Sequence, residues 1–271
     1  MTPTGGFLRR MVAATRVAVA APDYLAGLPP VPPRTPSSWR AAIRADGRPG
    51  GVVVEFKRRS PGASSPTLPD RSPRDFAARL APAPVRAYSC LAAGPEFGGS
   101  LADVAALAAA TDRPVLFKDF VVDPVQIEAA YRSGAAAVLL LARLATSGLL
   151  ETPLSDLARA AHARGLEVVL EWHARAELRE SADVPADVFA VNVRDLDSLE
   201  LRRDVAAETI RAVADRRPLL GMSGVDGPRA ARAFWDLGVD AILVGSAVAR
   251  ARDPAAFVRA LVPADPRGGS P

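Results

Sequence analysis

The sequence predicts an α/β chain folded as a closed (β/α)8 TIM barrel, preceded by an N-terminal helical extension. Three observations point there. Eight short runs of aliphatic and β-branched residues recur from Val52 onward, each followed by turn residues and a helical period. The runs are continuous rather than alternating, as strands buried on both faces must be. The 271-residue length suits one such barrel, and no G-x-G-x-x-G follows the first run, which disfavours an open dinucleotide-binding sheet.

The elements follow in chain order. Residues 8–21 carry basic residues ahead of an apolar stretch, but Arg16 breaks it, so an amphipathic helix is expected rather than an export signal. Pro22, Pro29, Pro30, Pro32, Pro33 and Pro36 predict an extended connector. Ser37 and Ser38 then offer caps for a short helix through Ile43. Strands are expected at 52–57, 85–90, 114–118, 136–141, 167–171, 188–192, 218–223 and 241–245. Helices are expected at 74–80, 100–110, 124–133, 153–164, 174–181, 204–214, 227–237 and 254–261. The organisation read from this is an extension over 1–51, a barrel over 52–262 and a disordered tail over 263–271.

Composition narrows the function. One Cys excludes an intramolecular disulfide and a cysteine-built zinc site, and two His exclude a three-histidine metal site. The net charge of +4 is a small surplus of scattered arginine, with no basic, aromatic-interleaved stripe for nucleic acid. No run approaches the ~18 apolar residues of a membrane span, so a cytoplasmic protein is expected. Of 34 basic residues only Lys57 and Lys118 are lysines.

Both lysines fall at the carboxyl ends of strands, where barrels of this class place their chemistry. Glu55 and Lys57 are two apart and point the same way, into the mouth. The third strand ends in Lys118, the fifth in Glu171 and the sixth in Asn192, followed by Arg194. Arginine holds its proton too tightly to act as a general acid, whereas lysine does not. That difference explains why these two positions would resist replacement. Ser223-Gly224 and Gly245-Ser246 open the turns after strands 7 and 8, a common phosphate-binding place in such barrels. His173 reads as a helix-start or surface residue, His162 as solvated, Cys90 as small and buried, Trp39, Trp172 and Trp235 as packing aromatics, and Arg202-Arg203 as a solvated turn.

Glu55-Phe56-Lys57-Arg58-Arg59-Ser60-Pro61 resembles the first-strand signature of the indole-3-glycerol phosphate synthase family. So do Phe97-Gly98-Gly99-Ser100, Leu116-Phe117-Lys118-Asp119-Phe120, Asn192 with Arg194-Asp195-Leu196, Ser223-Gly224-Val225 and Val244-Gly245-Ser246. The likeness covers about 52–262. It implies a carboxy-lyase that closes the indole ring of 1-(2-carboxyphenylamino)-1-deoxyribulose 5-phosphate, with loss of carbon dioxide and water, in tryptophan or indole-derived biosynthesis. By the resemblance Lys118 is the general acid on the ribulose carbonyl and Glu171 the acid/base of dehydration. Lys57 holds the substrate carboxylate and donates a second proton, while Glu55 and Asn192 orient the hydroxyls. Ser60, Arg194, Ser223, Gly224, Gly245 and Ser246 match substrate and phosphate contacts; Phe97, Phe120 and Leu139 match the anthranilate pocket. The partner implied is a phosphorylated small molecule, with no cofactor, metal, nucleic acid or membrane, and a monomer is expected.

Some positions depart from the family pattern. Strand 7 ends Met222-Ser223-Gly224, where the family has Glu-Ser-Gly. Ala92-Ala93 replaces a Thr and an acidic residue, Val193 a polar residue, and Ala81-Pro82-Ala83-Pro84 the usual connection. These losses predict a diverged paralogue with reduced rate or a shifted ring substrate. Two other readings stand beside it. An isomerase of phosphoribosylanthranilate would need a Cys or Asp pair on strands 1 and 6, which Glu55/Lys57 and Asn192 do not supply. A non-catalytic barrel would be consistent with Met222.

Overall fold

The computed structural model describes residues 6–33, 35–44, 50–60, 72–94 and 96–263. In chain order the elements are α1 (Phe7–Val19), α2 (Trp39–Ile43), β1 (Gly51–Phe56), α3 (Pro73–Leu80), β2 (Val85–Leu91), α4 (Leu101–Ala110), β3 (Val115–Lys118), α5 (Pro124–Arg132), β4 (Ala137–Leu141) and α6 (Ala142–Thr146). They continue as α7 (Leu154–Ala163), β5 (Glu167–Trp172), α8 (Ala176–Glu180), β6 (Val188–Asn192), α9 (Arg203–Ala212), β7 (Leu219–Met222), α10 (Pro228–Asp236), β8 (Ala241–Val244), α11 (Ser246–Arg250) and α12 (Pro254–Leu261). The eight strands pair in sequence order, all parallel, and β8 closes on β1. This is the closed (β/α)8 barrel expected. Residues 264–271, where the tail falls, lie outside the described residues.

Strand alternation sorts the side chains into two cores. Val52, Val54 and Phe56 of β1 face outward into the layer between sheet and helices. Val53 faces inward, with Ala87, Leu116, Leu139, Leu141, Val169, Ala190, Leu220 and Leu243 of the other strands. Both faces are therefore apolar, which is why the strands read as runs. The inward parity of β1 carries on through Glu55 to Lys57, that of β3 through Leu116 to Lys118, and that of β5 through Val169 to Glu171. The barrel interior is apolar below, and its inward positions turn polar toward the carboxyl rim, Ser89 of β2 among them.

The helix starts follow local chemistry. Ser72 and Ser100 accept from the backbone N–H groups of Asp75 and Asp103, both at 3.1 Å, and Asp123 with Gln126 forms a capping box on α5. Ser38 caps α2 through the Ala41 N–H at 3.0 Å, as its position in sequence predicts. The connector differs from expectation. Residues 21–28 are successive turns (Tyr24 N–H to Ala21 O, Ala26 N–H to Asp23 O, Leu28 N–H to Leu25 O) rather than extended chain. Pro22 fixes a φ that suits a turn, and the prolines become dense only from Pro29. Of the four five-residue helices among the described residues, α2 and α8 were expected and α6 and α11 were not; α6 begins directly after β4 and α11 one residue after β8, with no turn run between to mark a new element.

The extension is not a separate lobe. Phe7, Leu8, Met11 and Val12 of α1 are buried in the same apolar cluster as Phe120, Leu139 and Met222. Arg16 donates to the Leu149 carbonyl at 3.0 Å, beyond β4. The helix thus closes one side of the barrel mouth.

Candidate active site

A cavity of about 280 Å³ opens at the carboxyl ends of the strands. Its walls include every residue the sequence singled out for the site: Glu55, Lys57, Ser60, Phe97, Lys118, Phe120, Leu139, Glu171, Asn192, Arg194, Ser223, Gly224, Gly245 and Ser246. Residues separated by up to 191 positions in the chain meet there only because the barrel closes.

The charged floor is compact. Lys57 Nζ lies 2.8 Å from Glu55 Oε1, and Lys118 Nζ lies 3.9 Å from Glu55 Oε2. One carboxylate thus sits between both lysines of the chain. Burial alone would push the Glu55 carboxyl up, but the cations of Lys57 and Lys118 outweigh it and hold it below its ordinary value. Glu171, fully buried, behaves alike: burial raises it, and Lys118, His173 and Asn192 bring it below the usual carboxylate range. Asn192 Nδ2 donates to Glu171 Oε1 at 3.0 Å, while its Oδ1 accepts from the Arg194 N–H at 3.0 Å. The amide is thereby fixed in one orientation. Glu171 Oε2 is buried with no hydrogen-bond partner, and Glu171 itself lines the cavity.

The rim on the β7 and β8 side is made of turns. Ser223 and Gly224 both adopt positive φ, 68° and 71°, which turns the chain sharply after β7. The Arg203 guanidinium donates to the Gly224 carbonyl at 3.2 Å. Arg203 is exposed, as expected, but it opens α9 rather than lying in a turn, and it braces the loop. Ser60 Oγ lies 3.0 Å from Ser246 Oγ, joining the strand-1 and strand-8 loops. Gly245 lies against the floor, where a Cβ would come within 2.9 Å of Glu55 Oε1 and 3.2 Å of Lys57 Nζ. Arg194 lines the cavity and has one N–H committed to the Leu199 carbonyl at 2.6 Å.

The opposite wall is aromatic. Phe97 and Phe120 pack at 6.1 Å between ring centroids, and Phe7 of α1 meets both edge-on, at 6.2 and 6.4 Å. Sequence reasoning passed over Phe7, because nothing local marks an early apolar residue as part of a site that begins only at Glu55. Met222, buried, pairs in register with Asn192 and lines the cavity as a thioether.

His173 is a second correction. It is neither a surface residue nor merely a helix start: its side chain is 3% exposed and stands 3.0 Å from Glu171. Its spacing from Glu171 and Glu177, two and four residues, was the signal available. His162 is half-exposed on α7 and pairs with Asp187 at 2.8 Å. Trp39 and Trp172 are buried, and burial pushes the Cys90 thiol well up, as befits small or packing groups.

The comparisons with known proteins agree with this geometry. The family model for indole-3-glycerol phosphate synthase matches residues 12–261. The chain belongs to the indole-3-glycerol phosphate synthase family. The chain is 37% identical to indole-3-glycerol phosphate synthase 2 of Streptomyces coelicolor over 83% of its own length and 84% of that protein. It is 34% identical to the indole-3-glycerol phosphate synthase of Mycobacterium ulcerans, over 95% and 91% of the two chains. Among solved structures a 3-hexulose-6-phosphate synthase aligns with a TM-score of 0.59 at 19% identity, over 78% of this chain and 97% of that one, which speaks to the fold alone. Members of the synthase family are carboxy-lyases of tryptophan biosynthesis. No helix among the described residues is long and apolar enough to cross a membrane.

Proposed function

We propose that this synthase-family barrel closes the indole ring of 1-(2-carboxyphenylamino)-1-deoxyribulose 5-phosphate in the cavity described. The observation that carries the reading is the convergence of both lysines, Glu55 and Glu171 opposite an aromatic wall. The anthranilate ring rests against Phe97, Phe120 and Leu139, with Phe7 completing the wall. The phosphate sits at the turns Ser223-Gly224 and Gly245-Ser246, where Gly leaves room for close backbone approach.

The steps follow from charge and position. Lys118 gives its proton to the ribulose carbonyl oxygen while the carboxyl-bearing ring carbon bonds to the carbonyl carbon. Lys57 holds the substrate carboxylate, and Glu55 between the lysines orients the reacting hydroxyl. Carbon dioxide leaves, and the electron pair of the broken bond restores the aromatic ring. The former carbonyl oxygen, now a hydroxyl, departs as water with a proton from Lys57. Glu171, ionised at rest, takes the proton from the neighbouring carbon and the indole double bond forms. Asn192 holds the Glu171 carboxylate for that step.

Incubation with the substrate should generate the fluorescent indole product. Lys118→Arg keeps the charge and removes the usable proton, so kcat should fall by about 10²–10⁴. Absence of product from wild type at high enzyme concentration would overturn the activity. Full activity in Lys118→Arg would overturn the general-acid role. A second reading, a substrate-shifted paralogue, is favoured by Met222, an apolar side chain at a rim position where the family carries a carboxylate.

A further inference from the structure

Behind Glu171, away from the cavity, lies a row of buried charges that the reaction as proposed does not use. His173 Nε2 stands 3.0 Å from Glu171 Oε1, and His173 Nδ1 stands 3.6 Å from Glu177 Oε2. All three side chains are at most 3% exposed. Glu177 is itself pinned: Oε2 accepts from the His173 backbone N–H at 2.8 Å, and Oε1 from Arg143 Nη1 of α6 at 3.2 Å. Arg143 reaches on to Asp197 at 3.6 Å and Asp195 at 4.0 Å, in the loop that follows Asn192. The row begins at one end of β5 and returns to the loop carrying Arg194.

A neutral imidazole between two buried carboxylates would leave like charges facing each other through a dry gap, which is costly. A cationic ring resolves it. Burial disfavours that cation, yet Glu171 and Glu177 together outweigh burial and lift His173 to about 9. Neither ring nitrogen is aligned for a hydrogen bond to the carboxylates, so the contact is an ion pair. It acts on Oε1, the oxygen that Asn192 also holds, and leaves Oε2 unpartnered. The ring does not line the cavity.

We infer that His173 is a positioning residue of the reaction: clamped between Glu171 and Glu177, it fixes Oε1 of Glu171 and with it the orientation of the carboxylate in the cavity wall. The inference rests on the reading of Glu171 as the base of dehydration. Other groups facing Glu171 are Lys118 from β3, Glu55 from β1 and Asn192 from β6; His173 itself faces Glu171 and Glu177, with Arg143 behind.

The test compares wild type, His173→Gln and Glu177→Gln by indole fluorescence from about pH 3 to about pH 9. Glutamine keeps a hydrogen-bonding group beside Oε1 and removes the charge. In His173→Gln kcat should fall roughly tenfold or more with KM within about twofold, because the loss falls on the chemical step. The acid limb of the kcat profile should move up in pH, since Glu171 binds its proton more tightly without the cation. Glu177→Gln keeps the cation at acid pH but loosens the clamp, so kcat should fall by less with KM held and no upward move of the limb, and the double variant should add little beyond His173→Gln. Should His173→Gln fail to fold, the split of kcat from KM in Glu177→Gln decides alone. An unmoved acid limb in folded His173→Gln, or a rise in KM with kcat intact in either variant, would overturn the inference. An inactive wild type would instead strike the proposed activity itself.

Discussion

At Gly245 the backbone is not in the left-handed region, with φ at −120°, but a Cβ there would crowd the floor. An alanine needs room that Glu55 and Lys57 occupy. Gly245→Ala should therefore lower kcat by roughly tenfold or more by displacing the ion pair. Gly227→Ala, where a Cβ meets nothing within 4 Å, should leave the rate near wild type. Equal rates for the two variants would refute the steric account. Met222 is the converse case, a position where a polar group has gone. Met222→Glu should raise turnover of the unsubstituted substrate, and unchanged turnover would sink the idea that this position sets the rate. At this scale the sequence was informative wherever a residue type has one chemical use. Lys57, Lys118 and Glu171 could be placed by strand parity alone. His173 could not, because a histidine after a strand has many uses and only burial between two carboxylates selects one.

Among the elements, the eight strands were legible because both of their faces are buried, which leaves an uninterrupted apolar run in the sequence. Their ends agree with expectation to within a residue or two. The helices α6 and α11 were not legible, since each follows its strand almost directly, whereas α2 and α8, equally short, stand apart from theirs. The reach of α1 was not legible either: its amphipathic stripe predicts a helix but not the surface it covers. That surface is the aromatic wall. Phe7→Ala should cost about 3 kcal/mol of stability, the low end for a buried Phe, and should raise KM by opening the wall. A folded variant with an unchanged KM would separate α1 from substrate binding.

On the scale of the whole molecule, buried charge makes stability depend on pH. His173 is raised from 6.5 to about 9, so its contribution is full below about pH 6.5 and lost as pH rises through about 9. Glu55 and Glu171 are lowered, so theirs is full above the ordinary carboxylate value and lost as pH falls through the depressed one. Asp119 runs the other way: burial lifts it from 3.8 to about 6, so its ionisation lowers stability over that interval, below the His173 window. Thermal unfolding of wild type should show a Tm that declines from about pH 6.5 to about pH 9, and the decline should flatten in His173→Gln. Parallel curves would contradict it. The scarcity of lysine has a practical consequence of its own. Side-chain amines occur at two positions, 16% and 18% exposed, and both flank one carboxylate in the cleft. An acylating reagent applied to this protein finds its ε-amino targets only in the active site. Its uptake at these two amines reports vacant clefts, and bound phosphosubstrate should shield them.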